Sequence, residues 1–198
     1  MKPYEHELRV ACELARMAGA AILEHYEGPL KIAQKNYEND IEPVTQADTI
    51  ANELIVNHLK REFPNDGILA EESVDTKRRL EKSRVWMVDP LDGTNGFIDG
   101  NGDFAVQIGL AEDGQCTLGV VYQPLPGVLY RAVRGEGTWI ERPNFDPTRA
   151  AVSQTRVLPD MRLAASRSFS SASKALIAGY VCASTWFQTR CCWAWRAS

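Results

Sequence analysis

Trp86-Met87-Val88-Asp89-Pro90-Leu91-Asp92-Gly93-Thr94 is the stretch from which the fold and the chemistry of this chain are read. An apolar, strand-like lead-in delivers two carboxylates three positions apart, then a glycine and a hydroxyl residue. Pro90 is expected to stop the backbone from continuing as an interior strand, so that a turn returns Asp92 to the side of Asp89. Two hard oxygen ligands would then face one point, the pairing that Mg²⁺ prefers. Gly93 would let the backbone come close to a ligand, and Thr94 would cap a following helix whose N–H groups face a phosphate. Ordinary turns use the same residues, because Asp-Pro and Asp-Gly pairs form turns without any ligand.

Upstream, Leu8, Ala11, Ala15, Ala18 and Ile22 recur at three- and four-residue steps and predict a helix over 4–26, ended by Gly28-Pro29. The polar stretch 31–44 reads as a short strand or hairpin with a loop. Thr45-Gln46-Ala47-Asp48 has the spacing of a capping box, with aspartate in place of glutamate, and predicts a second helix reaching Glu62. An acid in a first helical turn is stabilised by the helix dipole whether or not it does chemistry, so both readings of Asp48 stand at this point. Ile68-Leu69-Ala70 reads as a buried strand running into Glu71-Glu72-Ser73. Along an extended chain neighbouring side chains alternate faces, so one glutamate can point into a site while the other stays in water.

Downstream of Thr94, residues 95–103 are glycine-rich and predict loop with at most a short helix. Asp99 and Asp103 read there as turn formers. Strands are expected over 104–110, 117–122 and 128–133, joined by an Asp113-Gly114 turn and by Pro124-Leu125-Pro126-Gly127 into an antiparallel meander. Gly135 to Ile140 reads as a turn and a further short strand.

Composition narrows the function. A formal charge of -4 over 198 residues offers no basic footprint for nucleic acid and no polybasic membrane patch. No apolar run reaches membrane-spanning length, and charges occupy the start where a signal peptide needs apolar residues, so the cytoplasm is the expected location. The five cysteines show no C-x-x-C spacing, which argues against a zinc cluster or a disulfide framework, and Cys12 reads as a small buried hydrophobe.

The composition changes near residue 160. All 26 acids lie before Met161, so residues 1–160 carry 17 basic and 26 acidic groups, or -9, and residues 161–198 carry +5. Residues 1–160 are therefore expected to form an α+β domain holding the site, and 161–198 the remnant of a C-terminal α/β domain. Arg162 to Ser168 still reads as strand and loop. From about Phe169 no helix or strand period with caps is visible, and the expectation is an altered reading frame or gene end.

These motifs in this order, Val44-Thr45-Gln46-Ala47-Asp48, Glu71-Glu72-Ser73 and the nine residues from Trp86, resemble the inositol monophosphatase superfamily of Mg²⁺-dependent phosphatases. Gly93-Thr94-Asn95-Gly96-Phe97-Ile98 and Asn101-Gly102-Asp103-Phe104-Ala105-Val106 are most similar to the CysQ-type 3'(2'),5'-bisphosphate nucleotidases, in which lysine and glutamate are typical where this chain has Asn95 and Gly96. The resemblance implies a layered α-β-α-β-α sandwich, with its C-terminal half incomplete here. It implies that Glu71, Asp89, the Leu91 carbonyl and Asp92 bind two or three Mg²⁺ ions. It further implies that Asp48 and Thr94, with Glu71, activate the attacking water, and that Gly93 and Thr94 present N–H groups to the phosphate. The substrate it implies is a small phosphomonoester, a nucleotide bisphosphate or alternatively inositol 1-phosphate. The family's later Trp-Asp aspartate has no counterpart after Asp160, so an incomplete second metal site and a catalytically impaired product are a further expectation. Relatives are commonly homodimers, a property not carried over to this chain.

Overall fold

The computed structural model describes residues 3–26, 32–37 and 40–156. The expected strand at 162–168, the atypical tail and the 161–198 domain lie outside the described residues. One compact unit covers Met1–Ala151.

Its first helix, α1, spans Glu5–Leu23, and the second, α2, spans Gln46–Glu62. Both form where three- and four-step apolar spacing predicts them. The face repeated by Val10, Ala11, Leu14, Ala15, Ala18 and Ile22 is buried, as is that of Ala51, Ile55, Val56 and Leu59. Between them β1, Ile32–Tyr37, pairs antiparallel with β2, Asp40–Thr45, which resolves the 31–44 stretch as a hairpin.

The remaining strands make one seven-stranded sheet in sequence order: β3 Gly67–Ala70, β4 Arg84–Asp92, β5 Ala105–Glu112, β6 Gln115–Gln123, β7 Val128–Val133, β8 Gly137–Glu141 and β9 Thr148–Arg149. β3 and β4 run parallel, connected past a 3-10 turn at Arg78–Glu81, and every later pair is antiparallel, so that β5, β6 and β7 form the expected meander. Alternation sends Trp86, Val88, Val106, Ile108, Leu110, Leu118 and Val120 into the core with the two helices. Trp86 is fully buried, stacks at 5.0 Å on Phe63 at the end of α2, and donates its indole N–H to Asp66 at 3.0 Å. That bond satisfies the polar atom that a buried tryptophan must place.

One expectation is corrected. Pro90 does not end the strand: β4 continues to Asp92, with Asp89 opposite Gln107 and Asp92 opposite Ala105. Three steps on β4 face two on β5, so one extra residue is absorbed in a bulge. Proline is tolerated in a strand at a bulge because no ladder bond needs its missing N–H there.

Candidate active site

The bulge decides which way the acids point. In a regular strand, residues three apart lie on opposite faces. Here Asp89 and Asp92 are matched to Gln107 and Ala105, which are two apart and share a face, so both carboxylates emerge on the side away from Trp86 and Val88. Glu71 joins them from β3: Ala70 is paired with Val88, and the Glu71 N–H donates to the Val88 carbonyl at 3.0 Å, which sets Glu71 beside Asp89. Glu72 is half-buried as well, so it is not the fully solvated partner that strict alternation suggested.

The electrostatics there are unfavourable for bare carboxylates. Burial pushes the Asp89 carboxyl up to about 8, and the negative charges of Glu71 and Asp92, with a hydrogen bond to Glu71, push in the same direction. Asp89 Oδ1 is buried without a hydrogen-bond partner. A buried acceptor left unpaired is costly unless something positive or hydrogen-bearing meets it. The donor set is all hard oxygen: three carboxylates and the Leu91 carbonyl, which has no partner in the β4–β5 register. Those are the donors a Mg²⁺ ion takes. Among the described residues no three acidic, histidine or cysteine side chains converge into a ready-made cage. Mg²⁺ does not require one, since it keeps several waters and uses one or two carboxylates. The residues present, all hard-oxygen donors with one buried Asp89 oxygen left without a partner, fit a hydrated divalent ion.

Asp48 reaches the same end of the sheet from the start of α2. It is only 2 % exposed, and its Oδ2 accepts the Thr45 N–H at 2.8 Å and the Thr45 hydroxyl at 2.5 Å. The first of these is the backward half of the capping box read in the sequence. Its Oδ1 faces the Thr94 hydroxyl at 3.2 Å, and the same hydroxyl lies 3.2 Å from the Leu91 carbonyl. One hydroxyl proton can serve one of these acceptors at a time. Burial raises the Asp48 carboxyl above the ordinary range, while the bonds from Thr45 and Thr94 pull it back.

Thr94 is the first residue of a one-turn helix, α3, Thr94–Ile98; the capping position belongs to Gly93, not to Thr94 as the sequence suggested. Gly93 has φ +92, and a Cβ there would lie 2.5 Å from the Asp103 carbonyl. At Gly96 a Cβ would lie 2.3 Å from the same oxygen. The returning loop therefore packs directly on the two glycines, and the edge-on contact of Phe97 with Phe104, at 5.3 Å, closes it from the core side. Asp99 caps the C-terminal end of α3, and Asp103 lies in the returning loop.

Two contacts were missed by sequence reasoning. Gln107 Nε2 donates to Asp92 Oδ2 at 2.5 Å. Asn52, 6 % exposed on α2, donates to the Ser73 hydroxyl at 3.1 Å and so ties the turn after Glu71 to the helix that carries Asp48. Cys12 is buried, with its thiol pushed up to about 11 by desolvation, as befits a core residue.

The model of the inositol monophosphatase family matches residues 4–187, a span that includes Asp48, Glu71, Asp89, Asp92 and Thr94. The chain belongs to the inositol monophosphatase family. Within that family it is 43 % identical over 137 residues to the 3'(2'),5'-bisphosphate nucleotidase CysQ of Salmonella typhimurium, covering 68 % of this chain and 54 % of that protein. It is 30 % identical over 149 residues to the inositol-1-monophosphatase of Bacillus subtilis, covering 75 % and 56 %. Among solved structures, CysQ from Bacteroides thetaiotaomicron superposes with a TM-score of 0.68 at 31 % identity, over 90 % of this chain and 69 % of that one. The chain spans about half the length of the curated relatives it matches. The layered fold expected from the sequence is the fold of these relatives.

Proposed function

We propose that this chain is a Mg²⁺-dependent phosphomonoesterase of the CysQ type, hydrolysing a 3'(2'),5'-bisphosphate nucleotide. One observation carries the reading: Asp89, half-buried, with a buried oxygen that has no partner and negative groups on two sides, is a position that calls for a divalent cation. Glu71, Asp89 and the Leu91 carbonyl would hold one ion, and Asp89 and Asp92 would share a second. Magnesium bound there supplies Lewis-acid activation of water and neutralises charge on the phosphoryl oxygens.

The chain's own residues supply the rest. Asp48, with its raised carboxyl, is a base closer to neutrality than an exposed aspartate. The Thr94 hydroxyl lies in hydrogen-bonding distance of Asp48, so it can pass a proton to Asp48 while its oxygen orients a water. The backbone N–H groups of Gly93 and Thr94, at the start of α3, would serve a phosphoryl oxygen. No covalent nucleophile is needed, because positioning and charge stabilisation account for phosphoryl transfer. The identity to CysQ supports the nucleotide over inositol 1-phosphate as the substrate.

Phosphate release from 3'-phosphoadenosine 5'-phosphate, compared with inositol 1-phosphate, tests the proposal. Turnover that depends on Mg²⁺, prefers the nucleotide and is abolished by Asp89→Asn supports it. Turnover indifferent to chelator and to Asp89→Asn excludes it, and saturable Mg²⁺ binding without turnover would leave an impaired member of the family.

A further inference from the structure

We infer that Gln107 is a positioning residue for the cation site, fixing the rotation of the Asp92 carboxylate; this rests on the reading of Asp89 and Asp92 as metal ligands. The geometry is specific. Gln107 stands directly across from Asp89 in the β4–β5 register, and Asp92, displaced by the bulge, is its diagonal neighbour on the same face. The side-chain amide donates to Asp92 Oδ2 at 2.5 Å. A carboxylate has two equivalent oxygens; when one is held by an amide, the other is presented in a single direction.

The chemistry of the donor matters as much as its place. An amide gives a hydrogen bond without a positive charge, so it orients Asp92 and leaves its full negative charge for a cation. Lysine or arginine at 107 would hold the same oxygen while neutralising the ligand and repelling the ion. Partners that orient a ligating carboxylate in this way influence metal affinity by about 10- to 100-fold. The half-buried setting of both residues limits competition from water for the bond.

The test is Mg²⁺ titration by calorimetry on the whole chain, with parent, Asp89→Asn, Gln107→Met and Gln107→Asn, and a melting curve for each without metal. Methionine matches glutamine in length and offers no donor; asparagine keeps the donor on a shorter stem. The inference expects Asp89→Asn to lose Mg²⁺ binding, Gln107→Met to weaken it about tenfold or more, and Gln107→Asn to fall between Gln107→Met and the parent. A purely structural role would lower the melting temperature and leave the dissociation constant unchanged. If Asp89→Asn abolishes binding while both Gln107 variants bind within twofold of the parent, the role of Gln107 is overturned and the metal-site reading stands. If Asp89→Asn binds like the parent, or the parent shows no saturable binding, the metal-site reading fails and Gln107 with it.

Discussion

Thr94 is the residue on which the proposed water activation turns, because its hydroxyl stands between Asp48 and the Leu91 carbonyl. Thr94→Val keeps the shape and removes the proton. In the phosphate-release assay it is expected to lower kcat by about 10²- to 10⁴-fold, the usual contribution of a positioned acid or base. The Thr94 bond also holds the Asp48 carboxyl down against its burial. Without that donor the Asp48 carboxyl rises, so the acid limb of kcat/KM should move to higher pH. Thr94→Ser should restore both. An acid limb that stays in place in Thr94→Val would show that Asp48 is not the group that must be ionised.

At the scale of elements, α3 sets local propensity against packing. Gly96 lies inside a helix, where alanine is ordinarily favoured by about 1 kcal/mol. A Cβ at that position would sit 2.3 Å from the Asp103 carbonyl oxygen and 3.1 Å from Asn101 Oδ1. Overpacking against backbone costs about 1–3 kcal/mol. Gly96→Ala is therefore expected to destabilise the chain in urea unfolding, and stabilisation would show that the 101–103 loop yields freely. The same elements show where the sequence was legible. The α1 and α2 positions followed from apolar steps of three and four, and the meander followed from Asp113-Gly114 and the alternation in β5 to β7. The path through Pro90 was not legible, because proline excludes a regular interior strand and only the partner strand reveals a bulge. Gln107 was equally hidden: a polar residue between Val106 and Ile108 reads as an ordinary outward-facing position, and its target is set by the register. Thr45, Asp48, Glu71 and Asp92 were named from sequence because each sits where an element starts or ends, and Asp89 because Pro90 marked an expected strand end that the structure moves to Asp92.

Across the whole molecule, the crowded acids link stability to pH. The Asp89 carboxyl, at about 8, lies above its value in an unfolded chain, about 4. Between those values the folded form retains a proton that the unfolded form has released, so stability falls as pH rises, by up to about 1.4 kcal/mol per unit. Glu7 and Glu141 oppose this in a different window. Burial would raise both, but Arg84 acting on Glu7 and Arg131 with Arg16 acting on Glu141 outweigh it, and their contribution is lost only on acidification below the ordinary carboxylate range. Metal-free chain should thus melt lower at pH 8 than at pH 5.5, and millimolar Mg²⁺ should offset the loss at pH 8. A melting temperature that is level or rising over that interval would contradict the assignment. The bulge in β4 explains why such a cost is built into the sheet. An unbroken strand could show two aspartates on one face with the shorter spacing Asp-x-Asp, so the extra residue is not required for aiming carboxylates. What it adds is a main-chain oxygen, that of Leu91, released from the ladder, while Pro90 brings no N–H that would need a partner of its own. A chain shortened by Pro90 would retain both acids on their face and return that oxygen to the neighbouring strand, leaving the proposed cation site with side-chain donors alone.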